Sequence, residues 1–205
     1  MRINAKQYVM ALGLVFILSA WGTAAIAATN TATDPGGGGV ALAASGNVTV
    51  NSAALQLVKQ VWTTAGVCLA SAPADASCNS SAVTATVAAG TQLKFVIFVK
   101  NATDVQLSDV RFQDALDTSA TGFTYVANSL KYDATQLDTA TSAQIYTAVD
   151  TAGTLETDAV DATAGRYASI SGSNIAVGAI PAQLNASLNV NARRTFALEF
   201  QATKQ

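Results

Sequence analysis

The chain has 205 residues, of which only 12% are charged, with 11 basic against 13 acidic side chains and a formal net charge of −2. That mild acidity argues against nucleic acid and anionic membrane surfaces as partners, because both require a basic face. The chain contains no His, so the commonest general base and the commonest transition-metal ligand are missing.

The first residues read as an export signal. Arg2 and Lys6 form a short basic region, and Val9 to Ala20 (VMALGLVFILSA) is nearly unbroken apolar sequence. The run is too short to span a bilayer comfortably, and Ala25-Ile26-Ala27 offers the small residues a signal peptidase reads. Cleavage is expected after Ala27, giving a signal peptide over 1–27. No Cys lies nearby for lipidation, and Thr203-Lys204-Gln205 carries no apolar tail. The expectation is therefore a secreted, extracellular or cell-surface protein with no membrane contact after cleavage. Loss of Arg2 and Lys6 leaves 9 basic residues against 13 acidic ones, a balance of −4.

Residues 28–39 are rich in Thr, Asn and Gly and end in Pro35 followed by four glycines. This composition predicts a flexible linker. Residues 40–52 follow as an N-terminal strand segment. Within it Val40 to Val50 (VALAASGNVTV) is β-competent, with Val48 and Val50 on one face. The body of the protein is expected over 53–205.

Strand signals then recur without a helical period. Leu55 to Trp62 alternates, with Lys59 in phase with Leu55, Leu57 and Val61. Val83 to Val87 is a short Thr/Val strand. Leu93, Phe95, Ile97 and Val99 share one face of the next strand, and Val96 and Phe98 on the other face predict burial on both sides. Asn101 to Asp104 makes a turn into Val105 to Phe112. Tyr125-Val126, Leu130 to Tyr132 and Ile145-Tyr146 are shorter strand pieces. Ala168 to Ser171 and Ile175 to Val177 flank Gly172-Ser173-Asn174, a hairpin turn signal. In the last strand Phe196, Leu198, Phe200 and Ala202 oppose Thr195, Glu199, Gln201 and Thr203. Many short strands separated by turns indicate an all-β antiparallel sandwich. Cys68 and Cys78 are the only cysteines. An oxidising compartment favours a disulfide between them, contributing roughly 3 kcal/mol by loop closure.

Leu55-x-Leu57-Val58-Lys59, Ala89-Gly90-Thr91-x-Leu93 running into Phe95 to Asn101, Val105 to Asp114, Gly122 to Val126 and the closing Phe196-x-Leu198-x-Phe200 occur in a particular order. This order resembles the Ig-like conserved-repeat domain of bacterial and archaeal cell-surface proteins, a family of unknown function. The resemblance covers roughly Ala53 to Thr203. It implies an Ig-like sandwich with a structural role at the cell surface, and it brings no catalytic residues.

Asp150, Glu156, Asp158 and Asp161 lie in a Gly/Thr/Ala-rich connection, where oxygen ligands suit Ca²⁺. Their spacing fits no defined calcium loop, so they stand as weak Ca²⁺ candidates, and no other cofactor is expected. Asp114 and Asp117 read as turn residues rather than a glycosidase carboxylate pair. Lys59 on the first strand and Glu199 on the last could be imagined in an internal isopeptide bond, but a solvent-facing lysine is the plainer expectation. Trp62, Tyr125, Tyr132, Tyr146 and Tyr167 are expected in or near the core rather than on a sugar-stacking platform. Asn47, Asn79, Asn101 and Asn185 each begin an N-x-[ST] sequon.

The function expected from the sequence is a non-enzymatic extracellular structural protein. It would be a subunit of a cell-surface fibre or surface layer, self-associating into a homopolymer by β-strand exchange. The donor segment would be Val40 to Val50, with Val40, Leu42, Val48 and Val50 as its apolar residues; the same segment could instead fold back as the first strand of its own sandwich. The alternative is a monomeric adhesin-like module that binds a surface glycan or protein.

Overall fold

The computed structural model describes residues 28–31, 43–48, 55–78 and 86–205. The expected signal peptide, most of the expected linker, the donor residues Val40, Leu42 and Val50, and three residues of the Val83–Val87 strand lie outside the described residues. Thr86 and Val87 are described and are not in a strand.

Two strands precede the body, β1 (Ala28–Thr31) and β2 (Ala43–Val48). The body begins with β3 (Leu55–Thr63) and β4 (Cys68–Ala72), followed by a single 3-10 turn at Ala76–Cys78. Next come β5 (Gln92–Asn101), β6 (Leu107–Val110), β7 (Phe112–Ala115), β8 (Phe123–Tyr125) and β9 (Lys131–Asp133). A helix, α1 (Ser142–Ala152), leads to β10 (Thr154–Leu155). The chain closes with β11 (Ala168–Ser171), β12 (Asn174–Val177), β13 (Ala179–Ile180), β14 (Gln183–Leu184), β15 (Leu188–Val190) and β16 (Thr195–Lys204).

The main sheet is seven-stranded and antiparallel, in the order β10-β9-β16-β5-β3-β4, with β8 also pairing β16. Its spine is the long β16–β5–β3 ladder, in which Leu198 faces Ile97 and Ile97 faces Lys59. The opposing sheet is short. β12 pairs β11 and β7, while β15 pairs β6. The two ladders continue in line, since Val177 sits opposite Phe112 and Leu188 opposite Val110. The hairpin β13–β14 is an excursion between them. Gly178 makes that departure possible: its φ is +76°, and a Cβ there would meet the Val110 carbonyl oxygen at 2.4 Å.

The core lies between the sheets. Leu93, Phe95, Ile97, Val99, Phe196, Leu198 and Phe200 of the main sheet meet Phe112, Ile175, Val177, Leu188 and Val190 of the opposing one. This alternation is the one read from the sequence, and it defines an antiparallel β-sandwich. The expected strand Val105 to Phe112 proves broken. Asp109 adopts a φ of +56°, and its carboxylate pairs with Arg111. That local turn lies within β6, whose pairing with β15 shifts register there, and Arg111 alone separates β6 from β7.

One expectation is corrected outright. Ile145-Tyr146 is not a strand but the middle of α1, the single α-helix among the described residues. Thr141 caps it, accepting from the Gln144 N–H, while the Gln144 side chain accepts from the Thr141 N–H at 2.8 Å. Ile145, Tyr146 and Val149 pack on Val58, Trp62, Val96, Phe98 and Ala197, the outer face of the main sheet. Tyr146 stacks on Trp62 with centroids 4.2 Å apart. The two-sided burial expected for the central strand is therefore real, with the helix supplying the second layer. Gln60 ties the helix start to the sheet, donating to Ser71 Oγ at 3.1 Å and Ser142 Oγ at 2.6 Å. Cys68 and Cys78 form the expected disulfide, with Cα atoms 5.3 Å apart, at the edge of this second cluster.

Candidate functional site

The expected donor segment is placed through its middle. Ala43–Val48 pairs antiparallel with Ala28–Thr31, with Ala28 opposite Val48, Thr29 opposite Asn47 and Thr31 opposite Ala43. The expected linker thus contains a strand, β1, and the Pro35-to-Gly39 run lies in the connection between β1 and β2. The pair forms a two-stranded sheet of its own, and no ladder joins it to the sandwich among the described residues. Each strand therefore has one edge with no ladder partner among the described residues. From Ala28 to Val58, Asp34 is the only charged residue.

The body carries a second notable arrangement, a layer of charge between the main sheet and α1. Glu199 is fully buried, and neither carboxylate oxygen has a hydrogen-bond partner. Burial pushes its pKa up to about 7. Asp150 adds to the rise, while Lys94 and Lys131 oppose it. Lys94 is buried beside it, pairing with Asp150 and reaching the Tyr146 hydroxyl at 3.4 Å. Burial works against the Lys94 ammonium, yet Asp150, Glu199 and Tyr146 together hold its pKa above the ordinary value. Lys131 donates to the Asp150 backbone carbonyl at 2.9 Å. A cleft of about 350 Å³ opens next to this layer, lined by Trp62, Thr64, Gly66, Tyr146, Thr147 and Asp150 among others.

The other sequence candidates are dispersed. Asp150 is committed to Lys94. Buried Glu156 accepts from the Tyr167 N–H at 2.7 Å and lies 3.8 Å from Arg166. Asp158 accepts from the Tyr125 hydroxyl at 2.7 Å and the Asn128 N–H at 2.9 Å. Asp161 accepts from the Thr163 N–H at 2.8 Å. Among the described residues no group of three or more His, Cys, Asp or Glu side chains is placed to hold a metal ion. Asp117 makes a turn, accepting from the Ser119 N–H at 2.9 Å. Asp114 does not: it reaches across the sandwich to Lys59, with Nζ–O distances of 2.6 and 2.7 Å. Lys59 is thus half-buried and paired across the sandwich, its side chain 29% exposed, and its ammonium lies 5.6 Å from the centre of the Phe95 ring. Lys59 and Glu199 occupy opposite faces of the main sheet, which separates the imagined isopeptide partners.

Asn101 and Asn185 are buried and engaged. Asn101 Nδ2 donates to the carbonyls of Val105, Val190 and Asn191 at 2.8, 3.0 and 3.0 Å, and its Oδ1 accepts from Thr103. Asn185 Nδ2 donates to Ala176 at 3.1 Å. Their sequons are structural in the folded protein. The sequence reading missed the Asn101 clasp, and its signal was an Asn at the end of an apolar strand followed by an N-x-T turn.

The fold and these sites define a disulfide-stapled antiparallel β-sandwich with one helix laid over its outer face. Among the described residues no helix is long and apolar enough to cross a membrane. No protein-family model matches the chain, and no curated protein or solved structure matches it either.

Proposed function

We propose that the chain is a non-enzymatic extracellular structural protein, a subunit of a cell-surface fibre or surface layer. Its copies would associate through strand pairing by the segment Val40 to Val50. The observation that carries this reading is the separate two-stranded sheet of β1 and β2, which shares no ladder with the sandwich among the described residues. A lone two-stranded ribbon is marginal in water and gains from a third strand. An export signal over 1–27, cut after Ala27, would put the first residue of β1 at the mature N-terminus. The resemblance to Ig-like conserved-repeat domains of surface proteins fits the same role, and the disulfide fits an oxidising compartment. The test is deletion of residues 30–50 behind the signal, followed by electron microscopy of the secreted material. Fibres should disappear; fibres that persist would remove the proposal.

The second reading is a monomeric adhesin-like module for a glycan or protein. The cleft beside Trp62, Tyr146 and Asp150 favours it, combining hydroxyl and carboxylate groups along one face of the helix. Size-exclusion chromatography of the mature protein separates the two, since a clean monomer at high concentration supports the binding module.

A further inference from the structure

We infer that Lys94 and Asp150 are the two ends of an internal amide cross-link between β5 and α1, formed by the folded chain itself with Glu199 carrying the protons. Such a bond would exist in a monomer and in an assembly alike. Lys94 Nζ and Asp150 Oδ1 form an ion pair where the helix meets the sheet, and the lysine side chain is only 10% exposed. In the ladder Gln201 stands opposite Lys94 and Glu199 opposite Val96, so Glu199 and Lys94 are diagonal neighbours on the face that α1 covers. Diagonal positions lie within reach of long side chains. On the other flank, Lys131 stands opposite Glu199 in β9 and donates to the Asp150 backbone carbonyl at 2.9 Å, which holds this part of the helix over the sheet. Glu199 therefore lies between two lysines that both engage Asp150. It is fully buried, and neither of its carboxylate oxygens has a hydrogen-bond partner among the described residues. An unsatisfied buried carboxyl group is costly. An amide joining Lys94 to Asp150 would give it polar partners.

The chemistry needs no co-reactant. Although burial opposes charge on Lys94, Asp150 and Glu199 keep it an ammonium, so the amine arises inside the pair by proton transfer to the Asp150 carboxylate. The amine lone pair then attacks Asp150 Cγ. The N–C bond forms, a Cγ–O bond breaks, and the hydroxyl leaves with a proton as water. An ammonium and a carboxylate thus become a neutral amide and one water, with nothing oxidised or reduced. Glu199, whose burial favours the protonated form, donates to the departing oxygen and recovers a proton from the nitrogen, ending as it began. Contact between the reactants removes the entropic cost of their encounter. Val96, Phe98 and Ala197 supply an apolar floor, and the cleft that Asp150 lines gives the water an exit.

The test is the intact mass of the mature wild-type protein, reduced and denatured. It should be one water lighter than its sequence. Trypsin should leave a branched peptide in which residues 60–100, uncut after Lys94, are joined to residues 132–166. Lys94→Arg and Glu199→Gln should each show the full mass and no branched peptide. A wild-type protein of full mass after prolonged incubation at neutral pH would overturn the inference, whether or not the variants fold. So would a lost water that maps elsewhere, such as to a cyclised aspartate. A branched peptide at wild-type yield in Glu199→Gln would overturn the part given to Glu199.

Discussion

At Glu199 the fold buries a carboxyl group that makes no hydrogen bond, under a helix and beside two lysines engaged elsewhere. Its pKa of about 7, against an ordinary 4.5, means the native state holds a proton that the unfolded chain has released. Between those values the folded state binds more protons, so stability falls as pH rises from about 4.5 through 7, by roughly 3 kcal/mol in all. The chain has no His to obscure this window. Thermal melting should therefore show a higher Tm at pH 5 than at pH 8. Glu199→Gln should flatten the profile; an unchanged slope in that variant would refute the assignment. Asn101 is the opposite case, a buried side chain fully used. Asn101→Ala strands the carbonyls of Val190 and Asn191, and chemical denaturation should show a loss of about 1–3 kcal/mol. Neither role is visible in the sequence. Glu199 occupies the polar phase of a cleanly alternating strand, and nothing in that pattern says that a helix covers it.

At the scale of elements, the long strands were legible because burial imposes a period of two. β3, β5, β16 and the β11–β12 hairpin fall where alternation and Gly172-Ser173 put them. The helix was not, although Thr141-x-x-Gln144 is a capping box and Ile145 and Val149 stand four apart. Four buried residues in eleven, only three of them apolar, make a weak helical stripe among Thr and Ala. Its stability comes from the sheet beneath it. Thr141→Ala should cost about 0.5–2 kcal/mol and Ile145→Ala about 2–5 kcal/mol, both measurable by denaturant titration. A negligible effect of Ile145→Ala would mean that the helix does not hold to the sheet. Reduction of Cys68–Cys78 should cost about 3 kcal/mol and lower the melting temperature without changing the far-ultraviolet spectrum.

For the whole molecule, the sandwich class was legible and the position of its function was not. Composition and strand spacing describe a body with few charges, yet they cannot show which edges are covered. The structure answers that for the sandwich, where bulges, Pro73, brevity and the Lys59–Asp114 pair guard each edge. The N-terminal strand pair, uncharged in both strands but bulged between Thr29 and Thr31, shares no ladder with the sandwich among the described residues. The structure also places a strand, β1, ahead of the glycine run, within the segment expected to be linker. The most direct test is electron microscopy of mature protein with and without residues 30–50, at matched concentration. Assembly through the N-terminal strands predicts fibres or sheets from the full protein and discrete, folded particles from the deletion. Identical assemblies from both would contradict it.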